Sequence, residues 1–166
     1  TGETVHLAIL DHDSILYIIT HESKQALRMG SKVGTRAPVH STAVGKTLLA
    51  FQPDEELERI FACGLPQSTP NTITDPKALR RELATVRARN YAVDDEESEI
   101  GLRAIAAPIR IYSGNVVAAI SIAGPVHRMP RKALLGWVRE LVDVAEAVSQ
   151  RLGWQPSRAE APPKRA

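Results

Sequence analysis

The segment LRAIAAPIRIYSGNVVAAISIAGP, residues 102–125, carries a strong signal for a β-hairpin. Two apolar runs, residues 102–111 and 116–123, are joined by Ser113, Gly114 and Asn115, which are residues typical of tight turns between strands. Pro108 lies inside the first run, and proline cannot donate a backbone hydrogen bond to a neighbouring strand. The sequence therefore predicts two paired strands, with an edge position or a bulge at Pro108.

A second hairpin is predicted near the start of the chain. Apolar residues alternate over residues 4–10, and residues 14–20 are rich in β-branched and aromatic side chains. Asp11, His12 and Asp13 supply the turn between them. Two hairpins separated by helical segments predict an α+β fold with an antiparallel sheet, because parallel sheets require alternating strands and helices.

The sequence of the rest of the chain predicts helices, loops and one short strand. Residues 22–40 read as a long loop, with at most a helical turn over residues 24–29, and loops of this length inside a domain usually carry function. Residues 154–166 lack a core-forming pattern and are expected to form a mobile tail, so that the folded domain covers residues 1–153. The predicted helices span residues 42–51, residues from Pro53 to Gly64, residues from Asp75 to Asn90, and residues 131–152, and the predicted strand spans residues 91–93.

Composition limits the classes of function. The chain has 166 residues with 21 basic and 19 acidic side chains, which is too balanced for this chain to bind nucleic acid by itself. The single Cys63 excludes an internal disulfide, and a reducing, cytoplasmic setting is the default expectation. No apolar run approaches the ~18 residues of a membrane span. The first residue is Thr1 rather than methionine, so we expect a processed protein or a fragment of a longer protein.

HSTAVGKT, residues 40–47, is one glycine short of a phosphate-binding P-loop, because His40 stands at the first position of the motif. Ser41 or Thr42 is a favoured residue for the start of a helix. The first amides of such a helix are unpaired and suit a carboxylate as well as a phosphate. A nucleotide site, a site for another anion and a plain helix start are therefore the alternatives.

No arrangement of residues typical of catalysis or metal binding is present. The five histidines lack the spacing of zinc ligands, there is no G-x-S-x-G motif, and Cys63 has no base nearby in the sequence. We expect no enzyme activity, no metal and no cofactor. The acidic run at residues 94–99 is either a solvated loop or a source of one or two carboxylates that face the following strand.

Small residues recur on alternate positions of the hairpin. Either a helix packs closely against this face of the sheet, or the small side chains line a cavity next to the helix start at residues 41–44. A cavity of this kind would accept a small organic acid. The small residues are Ala104, Ala106, Ala119, Ser121 and Ala123.

Five stretches of the chain resemble the effector-binding domain of IclR-family transcriptional regulators. They occur in the family's order across about residues 5–150. The stretches are HSTAVGKTLLA (40–50), TIT (72–74) followed by Leu79, Glu82 and Leu83, YAVDDEE (91–97), GLRAIAAP (101–108) and AAISIAGP (118–125).

The resemblance implies a GAF-like fold, in which a curved antiparallel sheet carries helices on its convex side and a small-molecule pocket on the other. It also implies an N-terminal winged helix-turn-helix that reads DNA and is absent from this chain. Homodimers or homotetramers are expected. The effector would be a small organic acid that alters assembly or DNA affinity.

The resemblance also assigns residues to the pocket. The amides of Ala43 and Val44 would meet the effector's carboxylate, and Asp94 and Ser121 would add polar contacts. Ala104 stands where the family often has cysteine, and Ala123 where serine is common, so we expect a wider, more apolar pocket and an aromatic or medium-length acid. An oligomerisation module with a vestigial pocket and a small-molecule enzyme are the alternatives. The walls would be formed by Ala26, Met29, Ala37, Ala104 and Ala123.

Overall fold

A computed structural model describes residues 1–156, with only the backbone for Leu135. A single sheet of six antiparallel strands has the order β3-β2-β1-β6-β5-β4. The strands are β1 (Thr4–Asp11), β2 (Ser14–His21), β3 (Arg36–Pro38), β4 (Ala92–Asp95), β5 (Leu102–Arg110) and β6 (Val116–Pro125). The helices are α1 (Ala43–Leu49), α2 (Asp54–Ala62), α3 (Pro76–Arg89) and α4 (Arg131–Arg151).

The two predicted hairpins are confirmed, and they join through β1 and β6. His6 on β1 pairs with Thr20 on β2 and with Ser121 on β6, so its side chain lies in a row that crosses three strands. The two hairpins thus form one continuous sheet. The α+β class with a curved antiparallel sheet is confirmed.

Pro108 was predicted to lie at an edge of the sheet or at a bulge, and the structure shows features of both. It pairs with Ala119 on β6, whereas β4 ends its pairing with β5 at Ala106. No strand of the described residues therefore needs the missing proline amide on that side. A bulge follows between Ile109 and Arg110.

Helices cover both faces of the sheet, which differs from the expected arrangement with helices on one face only. α4 packs against one face, on a cluster that includes Ile105 and Ile122, and α1 packs on the other face near Ala106 and Ala119. β5 is buried at every position from Leu102 to Ile109, so neither of its faces can remain open to water. The cavity described below lies on the α1 face.

α1 lies unusually close to the preceding chain. Every residue from His40 to Ala50 is buried. A Cβ atom added to Gly45 would lie 2.6 Å from the Cα of Val39 and closer still to its carbonyl oxygen. Thr47 Oγ1 donates a hydrogen bond to the carbonyl oxygen of Ala106 at 3.2 Å, which ties the helix to β5.

Three local predictions differ from the structure. Residues 24–29 form no helix, and the three-residue strand β3 was not predicted because so short a strand has no periodicity to detect. Trp154, placed in the predicted tail, is buried, and its amide donates to the carbonyl oxygen of Ser149 at 3.0 Å. Residues 157–166 of that predicted tail lie outside the described residues. Within residues 1–156, none of the helices combines the length and apolarity that a membrane span requires.

Candidate functional site

A cavity of about 30 Å³ lies between the sheet and the start of α1. Its floor is made by small residues of β5 and β6, where Ala104 pairs with Ala123 and Ser121 is the next inward-facing residue of β6. Both interpretations of the small residues therefore hold, because Ala106 and Ala119 pack under α1 while Ala104 and Ala123 leave space. The lining residues are His6, Tyr17, Met29, Thr42, Ala43, Val44, Asp94, Ser98, Leu102, Ala104, Ser121 and Ala123.

Thr42 is the N-cap of α1. Its hydroxyl accepts a hydrogen bond from the Gly45 amide at 3.2 Å and donates to the carbonyl oxygen of Pro38 at 2.8 Å. The amides of Ala43 and Val44 come first in the helix and so have no carbonyl partner one turn earlier. Both residues line the cavity. The helix start therefore presents backbone donors beside the small-residue floor.

Lys46 does not face an anion site. It is 1% exposed, forms an ion pair with Glu97 and lies 3.9 Å from Glu82. Burial raises the pKa of Glu97, while the Lys46 charge and its hydrogen bond oppose that change. The lysine that would bind phosphate in a P-loop is thus a buried structural cation here, which argues against the nucleotide alternative.

Asp94 is the carboxylate of the acidic run that reaches the cavity. Its Oδ1 accepts the Glu97 amide at 2.8 Å and the Ser98 amide at 3.2 Å, and its Oδ2 accepts the Ser98 hydroxyl. Burial raises the pKa of Asp94, and these hydrogen bonds act in the opposite direction. Neighbouring Asp95 pairs with Arg103, so the acidic run is an ordered, largely paired turn rather than a freely solvated loop.

His6 and Tyr17 complete the inner wall, and sequence reasoning missed both. The rings of His6 and Tyr17 have centroids 4.6 Å apart. Burial lowers the pKa of His6 to about 4 and raises the pKa of Tyr17 to about 12, so both side chains are uncharged near neutral pH. The available signal was the alternation of β1, which places His6 on the face opposite that of Val5 and Leu7.

A second cavity of about 180 Å³ adjoins the first one toward the surface. The two share Tyr17, Met29, Thr42, Ser98 and Leu102, so together they form an inner chamber and an outer one. The outer chamber is also lined by residues of the loop between β2 and β3, including Ser31, Thr35 and Ala37.

The predicted site residues are thus mostly brought together. Ala37 lines the outer chamber only, and Ala26 is exposed and lines neither chamber, since residues 24–27 run as bends on the surface. The inner chamber, of about 30 Å³, is narrower than the wide pocket that we expected. Met29, Tyr17 and Leu102 line both chambers. The predicted residues found in the inner chamber are Met29, Ala43, Val44, Asp94, Ala104, Ser121 and Ala123.

Two larger surface clefts adjoin the chambers and share some of their lining residues. One, of about 350 Å³, is lined by Asp13, Arg36, His40 and Cys63, among other residues, and another, of about 430 Å³, lies beside Met29 and Ile100. Across residues 1–156, no group of three or more histidine, cysteine, aspartate or glutamate side chains is placed to hold a metal ion.

A curved antiparallel sheet with a small, polar-lined chamber beneath a helix start defines a domain that binds small molecules. A sequence family described as "Bacterial transcriptional regulator IclR C-terminal" matches residues 1–150. The chain belongs to this family, so it is a C-terminal effector domain of the kind found in these regulators.

Known relatives agree with this assignment. The chain is 41% identical over 155 residues to the HTH-type transcriptional regulator KdgR of Escherichia coli. The aligned residues cover 93% of this chain and 59% of KdgR. The crystal structure of Thermotoga maritima IclR superposes with a TM-score of 0.87 at 41% identity, covering 93% of this chain and 63% of that one. The chain thus spans about three fifths of these proteins.

A second similar structure contains a ligand. It is an IclR homologue from Microbacterium hydrocarbonoxydans in complex with 4-hydroxybenzoate, with a TM-score of 0.82, 33% identity, and coverage of 90% of this chain and 60% of that one.

Proposed function

We propose that the two chambers bind a small organic carboxylate, which acts as the effector of a longer transcriptional regulator. The observation that carries this proposal is the inner chamber itself, where backbone donors of α1 and polar side chains converge on a floor of alanines. The amides of Ala43 and Val44 take the carboxylate, and Asp94 and Ser121 take other polar groups of the ligand.

The size of the ligand follows from the two chambers together. The inner chamber of about 30 Å³ holds little more than water by itself. An aromatic or medium-length acid therefore extends past Met29 into the outer chamber, with Ala37, Ala104 and Ala123 as apolar walls. Binding of 4-hydroxybenzoate by an IclR homologue supports an acid of this size.

The effect of the effector on transcription depends on the rest of the longer protein. We propose that an N-terminal helix-turn-helix domain binds DNA, that the cytoplasmic protein works as a homodimer or homotetramer, and that it represses or activates transcription without catalysing a reaction. The relatives' description as HTH-type regulators supports the DNA-binding role. Val144 and Leu152 on the C-terminal helical segment are exposed apolar side chains, which supports self-association.

A thermal-shift panel of aliphatic and aromatic acids tests the proposal. An effector at 100 times its Kd stabilises the protein by about 2.7 kcal/mol. Stabilisation by glyoxylate or pyruvate but by no larger acid would reject the size argument. No stabilisation by any acid would favour an oligomerisation module with a vestigial pocket.

Substitutions locate the site. Ser121→Ala and Asp94→Ala should each weaken effector binding, measured by isothermal titration calorimetry, by about 1–3 kcal/mol. Ser113→Ala, in the exposed turn between β5 and β6, is the control and should leave binding unchanged. Because Asp94 also holds the turn at residues 94–98, the melting temperature of Asp94→Ala must be measured alongside its affinity.

A further inference from the structure

His6 is a buried polar side chain without a hydrogen-bond partner. It is 1% exposed, and neither Nδ1 nor Nε2 has a partner among the described residues. Buried polar groups are nearly always paired, because an unpaired one has lost its hydrogen bonds to water without replacement. His6 is therefore retained at a cost to the stability of the folded chain. A ligand in the chamber could supply the hydrogen bond that the folded chain does not.

The ring of His6 lies in the wall of the inner chamber. The ring packs beside Tyr17 on one side, and its strand neighbour across β1 and β6 is Ser121, which lines the same chamber. Asp94, another lining residue, offers a carboxylate. The side of the chamber formed by the sheet therefore combines a neutral imidazole, a hydroxyl and a hydrogen-bond acceptor.

We propose that His6 is a specificity-determining residue that hydrogen-bonds a hydroxyl group of the effector. The effector is then a hydroxy acid rather than an acid without a hydroxyl group. This inference rests on the proposed function and names the ligand class. A neutral imidazole has one donor and one acceptor nitrogen, and a hydroxyl group can serve either of them. The Asp94 carboxylate can accept a hydrogen bond from a hydroxyl group of the effector, whereas it would repel a carboxylate placed beside it.

The chemistry of His6 fits a role in selectivity rather than in charge attraction. An uncharged ring does not hold the carboxylate of the ligand, so that group is left to the backbone amides at the other side of the chamber. A site that hydrogen-bonds a hydroxyl discriminates strongly against an analogue without it, since the buried polar groups of the site are then left unpaired. An acid that lacks the hydroxyl should therefore bind less well even if its shape is right.

The test uses three pairs of acids that differ by hydroxyl groups: 4-hydroxybenzoate and benzoate, 3-hydroxybutyrate and butyrate, glycerate and propionate. Isothermal titration calorimetry on the native chain should show at least one hydroxylated acid binding about tenfold more tightly than its partner. His6→Phe keeps a flat ring beside Tyr17 and should bring that ratio close to one. His6→Gln keeps a donor and an acceptor and should restore part of the ratio.

Thr20→Val is the matched control. The Thr20 hydroxyl is also buried without a hydrogen-bond partner. Residue Thr20 lies opposite His6 in the register of β1 and β2, but it does not line the chamber. Its replacement should leave the ratio unchanged. The melting temperature of His6→Phe should not fall, because an apolar ring replaces an unpaired polar one.

The possible outcomes separate the two proposals. Equal binding of both acids in every pair, or an undiminished ratio in His6→Phe, overturns the role of His6 while the acid-binding function stands. Failure of every acid to bind overturns the proposed function, and the assignment of His6 falls with it.

Discussion

Gly45 illustrates how one residue sets the distance between two segments. Its missing side chain lets α1 approach the backbone of Val39, where a Cβ would lie 2.6 Å from the Val39 Cα. Gly45→Ala must move the helix or the preceding chain, so the free energy of unfolding should fall by about 1–3 kcal/mol. Urea denaturation monitored by circular dichroism measures this change.

Gly136→Ala is the control for that substitution. Gly136 lies in α4, is exposed, and has no atom within 4 Å of an added Cβ. Alanine there should stabilise the chain by up to about 1 kcal/mol, as expected for an exposed helix position. Equal effects of the two substitutions would contradict the role given to Gly45.

His6 should also control the stability of the chain in acid. Its pKa is lowered from 6.5 to about 4 in the folded state, so the unfolded chain takes up the proton more readily. The contribution of His6 to the free energy of unfolding is therefore fully present above pH 6.5, and it is lost as the pH falls toward 4. The loss amounts to about 3 kcal/mol.

His6→Phe should remove this contribution. The difference in unfolding free energy between the native chain and His6→Phe should therefore change between pH 7 and pH 4, in favour of the variant at low pH. Comparing the two proteins cancels the contributions of other groups, including Asp94 and Glu97, whose raised pKa values act in the opposite direction. A constant difference across this range would show that His6 is not buried in neutral form.

At the scale of elements, Lys46 connects three segments of the α1 face. It lies on α1, pairs with Glu97 in the turn after β4, and approaches Glu82 on α3. Glu97 in turn donates its amide to Asp94 at 2.8 Å. The ion pair therefore holds the turn that brings Asp94 to the inner chamber.

Lys46→Met should reduce the free energy of unfolding by about 3–5 kcal/mol at pH 7, because a buried carboxylate loses its partner. The deficit should shrink at lower pH, where Glu97, whose pKa is already raised by burial, takes up a proton. Chemical denaturation at pH 7 and pH 5 measures both effects.

Two further variants complete this experiment. Lys46→Met with Glu97→Gln removes the unpaired charge and should recover most of the loss. Lys77→Met, on an exposed position of α3, should change stability by no more than about 0.5 kcal/mol. A small effect of Lys46→Met alone would mean that the ion pair does not order the turn.

At the scale of the whole molecule, the end of α4 closes the fold. Trp154 is buried, its ring lies 5.5 Å from the guanidinium carbon of Arg110, and the Tyr112 amide donates to the Leu152 carbonyl oxygen at 3.2 Å. These contacts join the C-terminal segment to the end of β5. Trp154 therefore packs with the folded domain, although it lies one residue beyond the predicted end of that domain.

A chain that ends after residue 153 should be less stable than one that ends after residue 156 by about 3 kcal/mol, the cost of deleting a buried tryptophan. Thermal and urea unfolding of the two truncated chains measure this difference. Equal stability would place Trp154 outside the core.

The sequence alone determined the elements whose signals are local. The hairpins around Asp11–Asp13 and Ser113–Asn115, the cap of α3 at Asp75 and the length of α4 follow from periodicity and from turn and cap residues, all of which act within a few positions. The family resemblance supplied most of the chamber in the same way, because it maps residue by residue along the chain.

Only the tertiary structure decided what depends on residues distant in sequence. Periodicity says that His6 faces one side of β1, but the unpaired state of its ring depends on β2, β6 and α1 together. The ion-pair partner of Lys46 is 51 positions away in the sequence. Ala26 lies on the surface rather than in the chamber because of the path of a loop that has no periodicity. Burial, and with it the pKa values and free hydrogen-bonding groups of the site, is a property of the assembled sheet and helices, which no short stretch of sequence contains.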